Sequence, residues 1–133
     1  MRIHHLGYAV KSMDVSIEEF VKLGYERVGE TVADEARGVM IQFMNLGNYC
    51  IELVAPMNAA SSINGIITKL GNTPYHICYS VDNIDEAVER LKNEGYVLME
   101  KPSCEIAIDS NKVAFLYNKH MGIIELVEEN EHV

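Results

Sequence analysis

An internal repeat sets the narrowest limit on the fold of this chain. The tetrapeptide "IELV" occurs at Ile51–Val54 and again at Ile124–Val127. When His5 is laid on His76, "HLGYAVKSMDVSIEEFVKLGY" falls on "HICYSVDNIDEAVERLKNEGY". Seven of the 21 positions are identical, ending on the matched pairs Gly24-Tyr25 and Gly95-Tyr96. Further on, "FMNLGNYCIELV" meets "FLYNKHMGIIELV" with a one-residue gap. Two matches in the same order predict two copies of one supersecondary unit.

Each half reads β-α-β-β-β. A short apolar strand comes first, Ile3–Val10 in one half and Tyr75–Val81 in the other. Asp14 and Asp85 stand where a helix starts. Ile84, Val88 and Leu91 recur at helical spacing before Gly95, which stops the last turn. Val15, Ile17, Phe20, Val21 and Leu23 are expected to play the same part before Gly24. Three strands follow, around Glu26–Val32, Val39–Leu46 and Tyr49–Val54, matched by Val97–Lys101, Lys112–Tyr117 and Gly122–Val127. Gly47-Asn48 suits a hairpin turn. Residues 1–133 are read as a single domain: 1–55 the first module, 56–73 a connector with a short helix at Ile63–Leu70, and 74–133 the second. The acidic stretch Glu128–Val133 is expected to fray.

With 133 residues, 48% apolar and 23% charged, the chain can bury a core without covalent staples. Its net charge of −9 argues against nucleic acid or an anionic membrane as partner. Cys50, Cys78 and Cys104 are odd in number and form no Cys-x-x-Cys pair, which suits a reducing compartment. No apolar signal stretch or run of transmembrane length is present, so the expected location is cytoplasmic.

Strand side chains alternate between faces. On that parity His5 shares a face with Gly7 and Ala9, and His76 with Cys78 and Ser80. Glu52 lies opposite Ile51 and Leu53, and Glu125 opposite Ile124 and Leu126. Each half thus offers one His and one Glu on the face away from its helix, with small neighbours. One such residue alone is more often a solvated surface group than a ligand. Here the His-to-Glu spacing is 47 residues (5 to 52) in one half and 49 (76 to 125) in the other. If the halves pair by pseudo-two-fold symmetry, two imidazoles and two carboxylates meet. That donor set suits a six-coordinate divalent ion with positions left for water or substrate.

These residues carry a resemblance to the vicinal oxygen chelate superfamily of glyoxalases, bleomycin-resistance-type binding proteins and dioxygenases. The resemblance runs from "HHLGYAV" to "GIIELVE". "GVMIQFMNLGNYCIELVAP" and "YHICYSVDNIDEAVERLKNEGY" are most similar to methylmalonyl-CoA epimerases. It implies an α+β fold in which two tandem βαβββ modules form a U-shaped cleft sheet with helices outside. It implies metal ligands at His5, Glu52, His76 and Glu125, one divalent ion (Zn, Ni, Co or Mn), and a homodimer. His4 falls on the packed face. The implied activity is that of an enzyme, a metal-dependent isomerase or lyase. It removes a proton α to a chelated carbonyl, with Glu52 or Glu125 as base. The substrate is a small carbonyl compound or thioester, in the manner of methylmalonyl-CoA epimerase or of lactoylglutathione lyase. The alternative is a non-catalytic small-molecule binding protein of the bleomycin-resistance type. The acidic base that some epimerases carry before the third strand has no counterpart; Ile41 or Gln42 lies there.

Gln42, Glu105 and Asp109 are further polar candidates by position, and Arg37 and Lys112 could meet an anionic group. Cys50 and Cys78 share the site face, where small residues giving space is the simpler reading. Met40, Met44, Met57, Met99 and Met121 are read as core filler, and Tyr8 and Tyr79 as structural.

Overall fold

In a computed structural model the structure describes residues 1–105, 108 and 111–129. The fold is α+β, and the two predicted modules are there. In chain order the elements are β1 (Arg2–Ala9), α1 (Met13–Lys22), β2 (Glu26–Asp34), β3 (Val39–Leu46), β4 (Tyr49–Pro56), α2 (Ile63–Leu70), β5 (Thr73–Val81), α3 (Ile84–Asn93), β6 (Val97–Glu105), β7 (Asn111–Asn118) and β8 (Gly122–Glu128). Backbone contacts group His5–Tyr75 in one compact unit, and Met1–His4 with the chain from His76 onward in the other. The connector therefore packs with the first module, where the Met57 amide donates to the Gly38 carbonyl at 2.9 Å. The first four residues go with the second module. There an Arg2 guanidinium nitrogen donates to the Glu129 carbonyl at 2.9 Å.

Within the first module the strands lie in the order β2-β3-β4-β1, and within the second in the order β6-β7-β8-β5. The hairpin strands pair antiparallel. The first strand of each module pairs parallel with its last, β1 with β4 and β5 with β8. A parallel pair needs a crossover, which the helix and the two intervening strands supply.

Each module buries its own core. In the first, Val10, Ile17, Met44, Ile51, Leu53 and Ala55 close under Tyr8, Phe20 and Tyr25. In the second, Ile84, Val88 and Leu91 of α3 meet Leu116, Ile124 and Leu126, flanked by Tyr79 and Tyr96. The helix-side role of Tyr8 and Tyr79 follows. The packed face of α1 differs from the sequence reading. Val15, Val21 and Leu23 are exposed, and Met13, Ile17 and Phe20 face the core. The spacing of those three, i, i+4 and i+7, makes one helical stripe, and Val15 and Val21 fall outside it.

The repeated Gly-Tyr is a helix stop in both modules. The Gly24 amide donates to the Val21 carbonyl and the Tyr25 amide to the Phe20 carbonyl. Gly95 repeats this to Lys92 and Tyr96 to Leu91. This is the Schellman cap, which needs a left-handed residue after the last turn. Gly24 and Gly95 supply it at φ of 104° and 99°. The following tyrosine then packs back; the Tyr25 ring meets Phe20 edge-on at 5.2 Å. At the start of α3 the cap is Asn83, whose side chain accepts from the Glu86 amide, and Asp85 sits in the first turn. At α1 the cap position is Ser12, and Asp14 sits in the first turn.

Two further expectations change. Met44 is buried and Met40 packs on the core, but Met57, Met99 and Met121 are exposed, because they stand in the connector, on a sheet-edge strand and in a turn. Glu128 and Glu129 do not fray. A Glu128 carboxylate oxygen accepts from the Ile84 amide, and the Glu129 amide donates to the Val81 carbonyl. The rest of the tail, 130–133, lies outside the described residues.

Candidate metal centre

The parallel pairings place the histidines and glutamates. On β1 and β4 the register sets Gly7 beside Glu52, so His5 stands two residues before the in-register neighbour of the carboxylate. On β5 and β8 it sets Cys78 beside Glu125, and His76 again stands two residues before. The sequence spacings of 47 and 49 differ, yet the local offset is the same. Alternate strand residues share a face, so each imidazole reaches the carboxylate on its own side of the sheet.

The contacts follow in each module. His5 Nε2 lies 3.4 Å from Glu52 Oε1, and His76 Nε2 lies 3.1 Å from Glu125 Oε1. All four residues are buried, Glu125 completely. A buried carboxylate costs several kcal/mol unless positive charge meets it. Metal–ligand bonds of about 2.0–2.2 Å put neighbouring donors of one ion about 2.8–3.6 Å apart. Both contacts fall in that range, and the His5 contact exceeds a good N–H···O bond of about 2.7–3.2 Å. Imidazole nitrogen and carboxylate oxygen are donors that zinc, nickel, cobalt and manganese all accept. Each pair, taken within its own module, therefore offers two donors that suit a divalent ion.

Two phenylalanines complete the pairs. Phe43 on β3 is in register with Glu52, and Phe115 on β7 with Glu125. The His5 and Phe43 rings meet edge-on with centroids 5.2 Å apart and planes at 79°. His76 and Phe115 do the same at 5.5 Å and 86°. Residue-type reasoning passed over both, though the aligned Phe of "FMNLGNYCIELV" and "FLYNKHMGIIELV" carried the signal.

The remaining candidates separate. Gln42 is in register with Leu53, which places it on the face opposite Glu52. It is fully buried, and its side chain is consumed by the β2 bulge between Val28 and Val32. Its Oε1 accepts from Thr31 Oγ1 at 2.8 Å and from an Arg27 guanidinium nitrogen at 3.2 Å. Its Nε2 donates to the carbonyls of Val28, Gly29 and Phe43. Gln42 is thus a structural clamp. Arg37 is ion-paired to Asp34 at 3.1 Å across the β2–β3 turn. Lys112 stands exposed on β7. His4 Nε2 lies 3.4 Å from Glu129 Oε2. Cys78 is buried beside Glu125. Cys50 is half-buried on the Glu52 face, and burial, with the Glu52 charge adding, pushes its thiol up to about 11. Asp109 lies outside the described residues, as does the Glu105 side chain.

A two-module α+β fold with a duplicated His-Glu pair defines the class. The chain belongs to the Glyoxalase/Bleomycin resistance protein/Dioxygenase superfamily, which it matches over residues 4–115. Its relatives include methylmalonyl-CoA epimerases. The human mitochondrial enzyme is 31% identical over 128 residues, covering 94% of this chain and 72% of that one. The ethylmalonyl-CoA/methylmalonyl-CoA epimerase of Cereibacter sphaeroides is 29% identical, covering 94% and 96%. Among solved structures, the methylmalonyl-CoA epimerase of Mycobacterium tuberculosis aligns with a TM-score of 0.85 at 25% identity, covering 98% and 89%. A Streptomyces coelicolor methylmalonyl-CoA epimerase variant in complex with 2-nitronate-propionyl-CoA aligns at 0.84 and 22% identity, covering 96% of each chain, a likeness of fold. No described helix is long and apolar enough to cross a membrane.

Proposed function

We propose that this protein is a metal-dependent epimerase of the methylmalonyl-CoA epimerase type, inverting a carbon α to a thioester carbonyl. The observation that carries the reading is the duplicated pair. One imidazole nitrogen meets one carboxylate oxygen at 3.4 Å in one module and 3.1 Å in the other, with the same strand offset. On family likeness, the pair His5 and Glu52 and the pair His76 and Glu125 would serve one divalent ion. When bound, that ion supplies Lewis-acid charge to the carbonyl oxygen as the α-proton leaves.

The chain's own residues do the rest. His5 and His76 hold the donor geometry. A carboxylate oxygen of Glu52 or Glu125 takes the α-proton from one face of the carbon, and the other residue's carboxyl group, in its protonated form, delivers a proton to the opposite face. Glu52 has the better position for taking the proton: its in-register neighbour is Gly7, which has no side chain, whereas Glu125 stands beside Cys78. Burial of both carboxylates excludes water and strengthens every charge interaction there. The relatives' names supply the thioester class. Family likeness adds a cytoplasmic homodimer, which light scattering would measure.

The test begins with metal content of the untagged protein beside the double variant Glu52→Ala/Glu125→Ala. About one divalent ion per chain, lost in the double variant, is the expected result. α-Proton exchange of methylmalonyl-CoA into deuterated water, followed by NMR, then reads the reaction. Bound metal with no exchange would make the protein a lyase acting on a hemithioacetal if that substrate turns over, and a binding protein if it does not. Failure to bind any of zinc, nickel, cobalt or manganese would overturn the reading.

A further inference from the structure

We propose that Phe43 and Phe115 are positioning residues, each setting the orientation of the imidazole it touches and keeping water from the carboxylate beside it. The inference rests on the metal site proposed above. The chain has three phenylalanines and no tryptophan. Phe20 belongs to the first module's core, where it packs against Tyr8 and Tyr25. The other two occupy one equivalent place. Each is in register with the glutamate of its module and meets the histidine ring edge-on.

The chemistry explains why a ring belongs there. An imidazole donates to a metal through one nitrogen lone pair, in the plane of the ring. A rotation about the bond to the ring turns that lone pair away from the ion. Ligating histidines are usually held by a hydrogen bond from the second ring nitrogen, and losing such support costs about 10–100-fold in metal affinity. A phenyl ring packed at 5.2–5.5 Å and nearly perpendicular opposes the same rotation by shape. Each phenylalanine is also the in-register strand neighbour of the glutamate of its module. A non-polar neighbour there lowers the local dielectric and strengthens attraction between carboxylate and cation.

The arrangement also distinguishes this role from packing. Phe20 fills a core made of aliphatic and aromatic side chains. Phe43 and Phe115 lie on the opposite sheet face, as the Glu52 and Glu125 registers require, and each contacts a buried histidine.

The experiment compares Phe43→Leu, Phe115→Leu and the control Phe20→Leu with the parent chain, each as the full-length folded protein. Cobalt(II) affinity is read by competition with a chelator, and ligand geometry by the visible spectrum of the cobalt form. Each of the first two variants is expected to lose about tenfold in affinity and to shift the cobalt spectrum. Phe20→Leu is expected to lower the thermal midpoint with affinity and spectrum unchanged. Phe43→Tyr and Phe115→Tyr keep the ring and should restore most of the loss. Parent-like affinity and spectrum in both Leu variants would overturn the positioning role and leave the metal site standing. A parent chain that takes up no cobalt would overturn the metal site, and this inference with it.

Discussion

His76 Nε2 lies 3.1 Å from Glu125 Oε1, with both side chains removed from solvent. A buried carboxylate of this kind is costly without positive charge. Saturating divalent metal is therefore expected to raise the thermal midpoint, and a chelator to reverse the gain. At one hundred times the dissociation constant the stabilisation is about 2.7 kcal/mol. For a chain of this length that is roughly 10 °C. Differential scanning calorimetry with and without metal and chelator checks it; an unmoved midpoint counts against the site.

Replacing Gln42 with Leu removes an amide that five groups use. The Thr31 hydroxyl and the carbonyls of Val28 and Gly29 lose a partner around the β2 bulge. A loss of about 1–3 kcal/mol is expected. Urea unfolding measures it. Metal uptake per folded chain should stay at the parent level, since Gln42 lies on the face opposite Glu52. A variant that folds normally but loses metal would contradict the structural role.

Cys50 carries the pH prediction. Its thiol is pushed up to about 11 by burial and then by the Glu52 charge, against an ordinary 9.0. The folded chain therefore keeps the proton while an unfolded chain would release it. The contribution to stability is full below about pH 9 and is lost as pH rises toward about 11. At pH 8 the thiolate population should be about 100-fold below that of an ordinary thiol. Alkylation by iodoacetamide, followed by peptide mass spectrometry on folded and urea-unfolded protein, reads this directly. Glu52→Gln should speed Cys50 alkylation in the folded protein, because a negative neighbour is gone. Equal rates in parent and variant would remove Glu52 from the explanation.

Gly95→Ala isolates a backbone cost. The position has φ of 99°, and a Cβ there meets nothing within 4 Å. Any loss comes from conformation alone, about 1–2 kcal/mol. Gly24→Ala should cost at least as much, because its Cβ would also sit 3.4 Å from Leu46 Cδ1. Thermal unfolding of the two variants gives the comparison; a neutral Gly95→Ala would mean that the cap tolerates a right-handed residue.

Much of the fold is legible in the residues themselves. Period-two alternation marked the strands, and the Gly-Tyr pairs marked both helix ends, because a Schellman cap needs a residue that tolerates positive φ. Strand parity also put His5, Glu52, His76 and Glu125 on the faces away from the helices. Duplication made these readings firm, since a local signal weak in one half recurred in the other. Analogy between the helices and position along a strand misled at three residues. Val15 and Val21 are apolar and solvent-facing, and Gln42 is polar and wholly buried.

Residue order is enough to read this chain as two copies of βαβββ, with one histidine and one glutamate per copy on the same strand faces. Local propensity, alternation and repeat spacing act over a few residues, so they can be read from order alone. Strand pairing in the folded chain sets each histidine two residues before the neighbour of its glutamate, despite spacings of 47 and 49. It also closes a phenylalanine on each imidazole. Those relations depend on parallel register across a crossover, which backbone hydrogen bonding and core packing set together once the strands have met.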